Sequence, residues 1–324
     1  MAETRFAKAI GKALEDAMAA DANVILFGED VAGAGGPFGV TRGLHQRFGE
    51  ERVRDTPISE AAIAGAAVGA ALTGLRPVFE IMFMDFSTLT MDALVNQAAK
   101  AHFMFGGQGS VPLVMRTPHG GGVNAGPQHS QCLEAWMAHI PGLKVVIPST
   151  CADAYGLLRS AIEDPDPVIF IEHKALYGMK GDLEDNPQPV PIGKARIARE
   201  GTHATVVCYG ALVHESLKAA AELEKEGISI EVVDLRSLQP WDEAAVLASL
   251  QKTHHLVVAH EAVTAFGPGA EIAARMADIA FDELDGPIVR VGAPFMPVPF
   301  AKSLEARFRP NHAGVIAAVK KTLE

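Results

Sequence analysis

The sequence predicts an α/β protein built as two three-layer domains, each a mainly parallel sheet with helices on both faces. Three observations predict it. Short, almost wholly apolar runs alternate with segments of helical periodicity along the chain. A proline- and turn-rich stretch, GMKGDLEDNPQPVPIG (178–193), separates two such patterns. The 324 residues suffice for about two domains with separate cores.

The elements follow in order. The N-terminal MAETRFAKAIGKALEDAM reads as an amphipathic helix with charges throughout, unlike the apolar centre of a secretory signal. Residues 24–27 read as a buried strand. A helix is expected from Glu60 through Leu72, capped by Ser59 and preceded by Pro57, which keeps Thr56 out of the helical region. Its sequence, EAAIAGAAVGAAL, carries no charge after Glu60, which predicts close packing on all sides. Residues 78–82 form a strand, 88–105 a helix closed by Gly106-Gly107, and 111–115 a strand. A polar glycine-rich loop covers 117–128. A strand at 144–147 leads to a helix capped by Ser149 or Thr150 and running to Ile162, and 168–171 is a strand. After the linker, strands are expected near 204–209, 229–233, 255–259 and 288–291, with helices near 212–226, 242–250, 269–280 and 312–322. The domains are expected to be 1–185 and 186–324.

Composition narrows the function classes. Lys plus Arg is 28 against 39 Asp plus Glu, a net charge of −11, which argues against nucleic acid and permits a basic protein partner. The uncharged run 61–75 is too short and too rich in Gly and Ala to span a bilayer. Cys132, Cys151 and Cys208 form no CxxC pair, which suits a reduced, cytoplasmic setting.

Several motifs fail on spacing. GAGGPFG (33–39) puts Phe38 where GxGxxG needs glycine, and reads as a mobile loop. HGGG (119–122) has no GxSxG elbow to accompany it. His254, His255 and His260 lack HExxH spacing and read as strand and surface residues. No GDG motif occurs, so the chain lacks the usual signature for holding Mg²⁺ on a diphosphate.

The most informative stretch is DTPISE (55–60). On the residues alone, two readings of Glu60 stand: a first-turn carboxylate favoured by the helix dipole, or a buried acid whose raised pKa lets it exchange a proton with a ligand.

Taken together, GEDV (28–31), DTPISE, GLRP (74–77), DFS (85–87), QHSQ (128–131), PGLKVV (141–146), EHK (172–174) and VPFA (298–301) carry a resemblance that runs nearly end to end. The chain resembles the beta subunit of the thiamine diphosphate-dependent first component of 2-oxo acid dehydrogenase complexes. The resemblance implies an α₂β₂ heterotetramer with the cofactor shared at an α–β interface. The alpha subunit would hold the diphosphate and its Mg²⁺, which accounts for the missing GDG. This chain would hold the pyrimidine ring in its N-terminal domain, and its second domain would be of the transketolase C-terminal type.

The resemblance also implies roles. Glu60 would hydrogen-bond the pyrimidine ring nitrogen and favour the imino tautomer that deprotonates the thiazolium carbon, which moves the balance to the catalytic reading. Phe86 would stack on the pyrimidine, or else be a core phenylalanine. His129 would face the substrate, in acid–base work or in handing the acyl group to lipoamide of an acyltransferase core. Glu29, at the C-terminal end of a strand, would lie near the cofactor. Leu113, Ala161, Ile162, Asp164 and Asp166 would supply oxygens to K⁺, although the DPDP turn (164–167) is also accounted for as a turn. The chain departs from many relatives at Ala62, Ile63, Asn124 and Pro127. FMFGG (103–107) and EHK…GMKGD (172–182) lean toward acetoin dehydrogenase. Two other functions remain open at this point: the pyrimidine-binding half of a split transketolase, and a non-catalytic assembly subunit.

Overall fold

The computed structural model describes residues 2–324. The chain separates into two compact units. One comprises residues up to His119 together with Trp136–Ile192; the other comprises Gly120–Ala135 and Gly193–Glu324.

The first unit is built on a parallel sheet. Its strands lie side by side in the order Lys144–Val146, Val168–His173, Val114–His119, Arg76–Glu80, Val24–Gly28 and Val53–Asp55. These strands are apolar runs because helices cover them, leaving no wet face to demand alternation. Gly28 pairs with both Asp55 and Glu80, so three strands end at one level. A Cβ on Gly28 would stand 2.8 Å from the Glu80 carbonyl oxygen, which demands glycine there.

In the second unit the parallel strands Val289–Ala293, Leu256–Val263, Ala204–Cys208 and Ile230–Asp234 are followed by an antiparallel edge strand, Arg196–Arg199. The strand period of two assigns its faces. Ala204, Val206 and Cys208 pack with Leu212, Ala219, Val315 and Val319 of two helices, while the Thr205 hydroxyl meets Ser249 and Thr253 of a third on the opposite face.

The structure departs from the sequence reading at several points. The helix Glu60–Leu72 packs on one face only: Ile63, Ala64, Ala67, Val68 and Ala71 are buried, whereas Ala61, Ala62, Gly65, Ala66, Gly69 and Leu72 are exposed. Ser59 makes no side-chain cap, because its hydroxyl donates to the Pro57 carbonyl at 3.0 Å. The segment expected to be one helix over 88–105 is a 3₁₀ turn at Met84–Thr90, a π-helix at Asp92–Ala98 and an α-helix at Ala99–Met104. The strand expected at 111–115 is Val114–His119. The start of the expected linker is a strand, Lys180–Leu183, paired with Ala2–Arg5. His260 lies fully buried within its strand, not at the surface. Thr150 does cap the helix Cys151–Glu163, accepting the Asp153 amide at 3.1 Å.

Candidate active site

Glu60 opens its helix and Glu29 follows the strand Val24–Gly28; each is only 7% exposed. The Thr56 amide donates to the Gly28 carbonyl at 2.9 Å, so both approaches leave the sheet together and the two carboxyls converge. Burial first, and the Glu60 charge next, raise the Glu29 carboxyl above the usual carboxylate range, against the pull of the Ser59 amide. Among the described residues, Glu29 Oε1 has no hydrogen-bond partner. An orphaned buried oxygen beside a second carboxyl fits a ligand with ring nitrogens that donate and accept.

The loop after Glu29 is pinned by hydrogen bonds. Asp55 accepts the amides of Ala32 at 2.6 Å and Gly33 at 3.0 Å. Gly36 donates to the Asp30 carbonyl, and the Thr41 hydroxyl to the Val31 carbonyl at 2.7 Å.

Phe86 is half-buried in the Met84–Thr90 turn, which packs against the Glu60 helix. Its ring meets Phe83 edge-on at 5.8 Å, Phe83 meets Phe38 edge-on at 5.9 Å, and Phe38 stacks on Tyr177 at 4.8 Å. The aromatic wall thus joins Phe86 to the pinned loop.

Beneath it lies a charged cluster that sequence reasoning did not single out. Arg116 is buried between Glu80 at 2.7 Å and Glu172 at 2.7 and 3.0 Å, and the Tyr177 hydroxyl donates to Glu172 at 2.7 Å. Burial lifts the Glu80 carboxyl; Arg116 opposes that shift and Glu172 adds to it. The available signal was a charge within or closing each of three apolar strand runs.

The residues expected at K⁺ are arranged as follows. The Leu113 carbonyl accepts the Val168 amide at 3.0 Å, and Ala161 is buried in its helix. Arg76 donates to the carbonyls of Ile162 at 2.8 Å and Asp164 at 3.4 Å. Lys144 binds both Asp164 oxygens at 2.7 and 2.8 Å and reaches Asp166 at 3.1 Å. Burial pulls the Lys144 ammonium down, but these carboxylates outweigh it and raise its pKa. A guanidinium and an ammonium thus already serve the Ile162 and Asp164 oxygens expected at K⁺.

His129 belongs to the second unit and is half-buried; its amide donates to the Gly126 carbonyl at 3.4 Å. In that unit a cavity of about 360 Å³ is lined by Pro127, Ser130, Cys132, Glu261, Phe295 and Phe308, among others.

Comparison with known proteins bears on this arrangement. The model of the transketolase pyrimidine binding domain matches residues 2–180, and that of the transketolase C-terminal domain matches residues 193–315. The chain is 47% identical to the acetoin:2,6-dichlorophenolindophenol oxidoreductase subunit beta of Bacillus subtilis, over 97% of this chain and 96% of that one. It is 47% identical to the mitochondrial pyruvate dehydrogenase E1 component subunit beta of Drosophila melanogaster, over 97% of this chain and 88% of that one. In fold it is similar to a split gene transketolase solved as an inactive beta4 tetramer, with a TM-score of 0.82 at 24% identity, covering 98% and 97% of the two chains.

Proposed function

The chain belongs to the family of transketolase-like beta subunits of the thiamine diphosphate-dependent first component of pyruvate and acetoin dehydrogenase systems, and from that membership we propose how its residues serve the reaction. The observation that carries the reading is the buried Glu29–Glu60 pair with its orphaned oxygen.

Glu60, 7% exposed at the head of its helix, would hold the proton shared with the pyrimidine ring nitrogen. Glu29 is the neighbouring acid, its carboxyl raised above the usual range by burial and by the Glu60 charge. Phe86 offers its ring to the pyrimidine face. Bound there, thiamine diphosphate supplies the electron sink for cleavage of the substrate C–C bond. His129 supplies the proton that the lipoyl sulfur takes during acyl transfer.

The assembly we propose is an α₂β₂ heterotetramer in the cytoplasm. The alpha subunit holds the diphosphate and Mg²⁺, and a lipoyl acyltransferase core takes the product. The net charge of −11 suits a basic docking domain on that core. K⁺ would be held by the main-chain oxygens of Leu113, Ala161, Ile162, Asp164 and Asp166, displacing Arg76 from two of them. Its test is a rise in Tm on adding KCl, against choline chloride, to K⁺-free complex. The substrate is pyruvate or acetoin, with the lean toward acetoin resting on the 103–107 and 172–182 stretches.

The deciding experiment reconstitutes the chain with its alpha subunit, titrates thiamine diphosphate by calorimetry, and assays pyruvate, branched-chain 2-oxo acids and acetoin. Stoichiometric cofactor uptake and turnover of one of these substrates are expected. A complex that takes up no cofactor would overturn the reading.

A further inference from the structure

The loop that carries His129 is held by two carboxylates of the second unit. Glu261, on the strand Leu256–Val263, accepts the Gly121 amide at 2.6 Å. Glu305, on the helix Lys302–Phe308, accepts the Asn124 amide with both oxygens, at 3.3 and 3.2 Å. The Arg309 guanidinium donates to the other Glu261 oxygen from Nε and Nη2, each at 3.1 Å. Glu261 and Glu305 are 5% and 3% exposed.

Burying two carboxylates against one guanidinium is costly unless further donors meet them, and here the loop amides are those donors. The loop is shaped to fit. A Cβ on Gly121 would stand 3.0 Å from Arg309 Cδ and 3.1 Å from Glu305 Oε1. Gly126 has φ +77°, and a Cβ there would fall 2.2 Å from the Phe300 ring. The chain is therefore fixed at 121, 124 and 126, three residues before the imidazole. Glu261 also shares a cavity wall with Pro127, Ser130 and Gln131, which flank His129.

We infer that Glu261 and Glu305 are positioning residues that set where His129 stands for transfer of the acyl group to lipoamide. This rests on the role given to His129 above. In that transfer the lipoyl S–S bond breaks. One sulfur bonds to the acyl carbon, using the electron pair left by the cleaved C–C bond, and the other takes a proton from the imidazole, which regains one from the hydroxyl that becomes the thioester carbonyl as the acyl carbon parts from the cofactor. Placing the imidazole for that proton is a task for a rigid loop, since a misplacement of about 1 Å can cost on the order of 10²-fold.

The test uses the reconstituted α/β complex and two acceptors: dichlorophenolindophenol, which takes electrons without a lipoyl group, and a lipoyl domain. Glu305→Ala and Glu261→Ala are expected to lower kcat for lipoyl acylation about tenfold or more. The dye-coupled rate, the substrate KM and cofactor affinity should stay within about twofold. Glu305→Gln, which keeps an acceptor oxygen, should recover most of the acylation rate. If a Glu261 variant does not fold, Gly121→Ala disturbs the same contact from the loop side and should give the same split. Equal loss with both acceptors would reduce the carboxylates to general scaffolding and overturn the inference. His129→Ala separates the two claims. Normal acylation in that variant sinks the role of His129, whereas impaired acylation there with normal rates in the glutamate variants sinks only the positioning role.

Discussion

Asp55 accepts the amide hydrogen of Ala32 at 2.6 Å, tying the turn after Glu29 to the segment that leads into Glu60. A second bond from Gly33, at 3.0 Å, completes the hold. The spacing of the two buried acids is therefore set by a third, exposed carboxylate on the edge strand Val53–Asp55. Asp55→Ala should lower stability by about 1–2 kcal/mol, at the modest end for hydrogen bonds to a charged group because the site is exposed. It should also weaken thiamine diphosphate binding by the α/β complex several-fold. Urea unfolding of the chain and calorimetry of the complex measure the two effects.

Glu60→Gln removes a titratable proton while keeping size and shape. Assembly with the alpha subunit should be unchanged on size-exclusion chromatography. Hydrogen–deuterium exchange at the thiazolium carbon of bound cofactor should slow by about 10²–10⁴-fold, the range for a positioned acid–base group. Exchange at the native rate would return Glu60 to the role of a helix-start carboxylate.

Glu29 makes stability depend on pH. Its folded pKa is raised by burial and by Glu60, so the fold prefers the protonated form. That contribution is fully present below the unfolded value near pH 4.3 and is lost as pH rises through the folded pKa. Glu29→Gln should therefore have a higher Tm than the parent at pH 7–8, with the gap closing as pH falls toward 4. Thermal melts of the isolated chain across that range give the answer; a constant gap would show that Glu29 ionises in the fold as it does in water.

The Arg116 cluster should behave as a buried ion network. Arg116→Met leaves Glu80 and Glu172 without their cation and should cost about 3–5 kcal/mol. Adding Glu80→Gln and Glu172→Gln to that variant should recover most of the loss, since the penalty lies in the stranded charges. Denaturant unfolding of the single and triple variants distinguishes this from a simple packing defect, in which the extra substitutions would not help.

What local sequence determined is plain in particular elements. Residues 24–27 and 204–209 read as strands because burial on both faces makes them almost continuously apolar. Glu60 stood out because a lone acid heads an uncharged Ala/Gly helix, and the ordered motifs from 28 to 301 identified the family. Periodicity could not reveal the π-helical segment at 92–98, because a change of hydrogen-bond register leaves no mark in composition. Nor could it show that Lys180–Leu183 finds a partner strand at the far N-terminus. Arg116 is drawn to acids 36 and 56 residues away, and the loop before His129 is gripped by carboxylates 140 and 181 residues on. Tertiary structure decided those relationships, because charges find partners through space once the sheets have formed, whereas apolar runs and helix starts are written in consecutive residues.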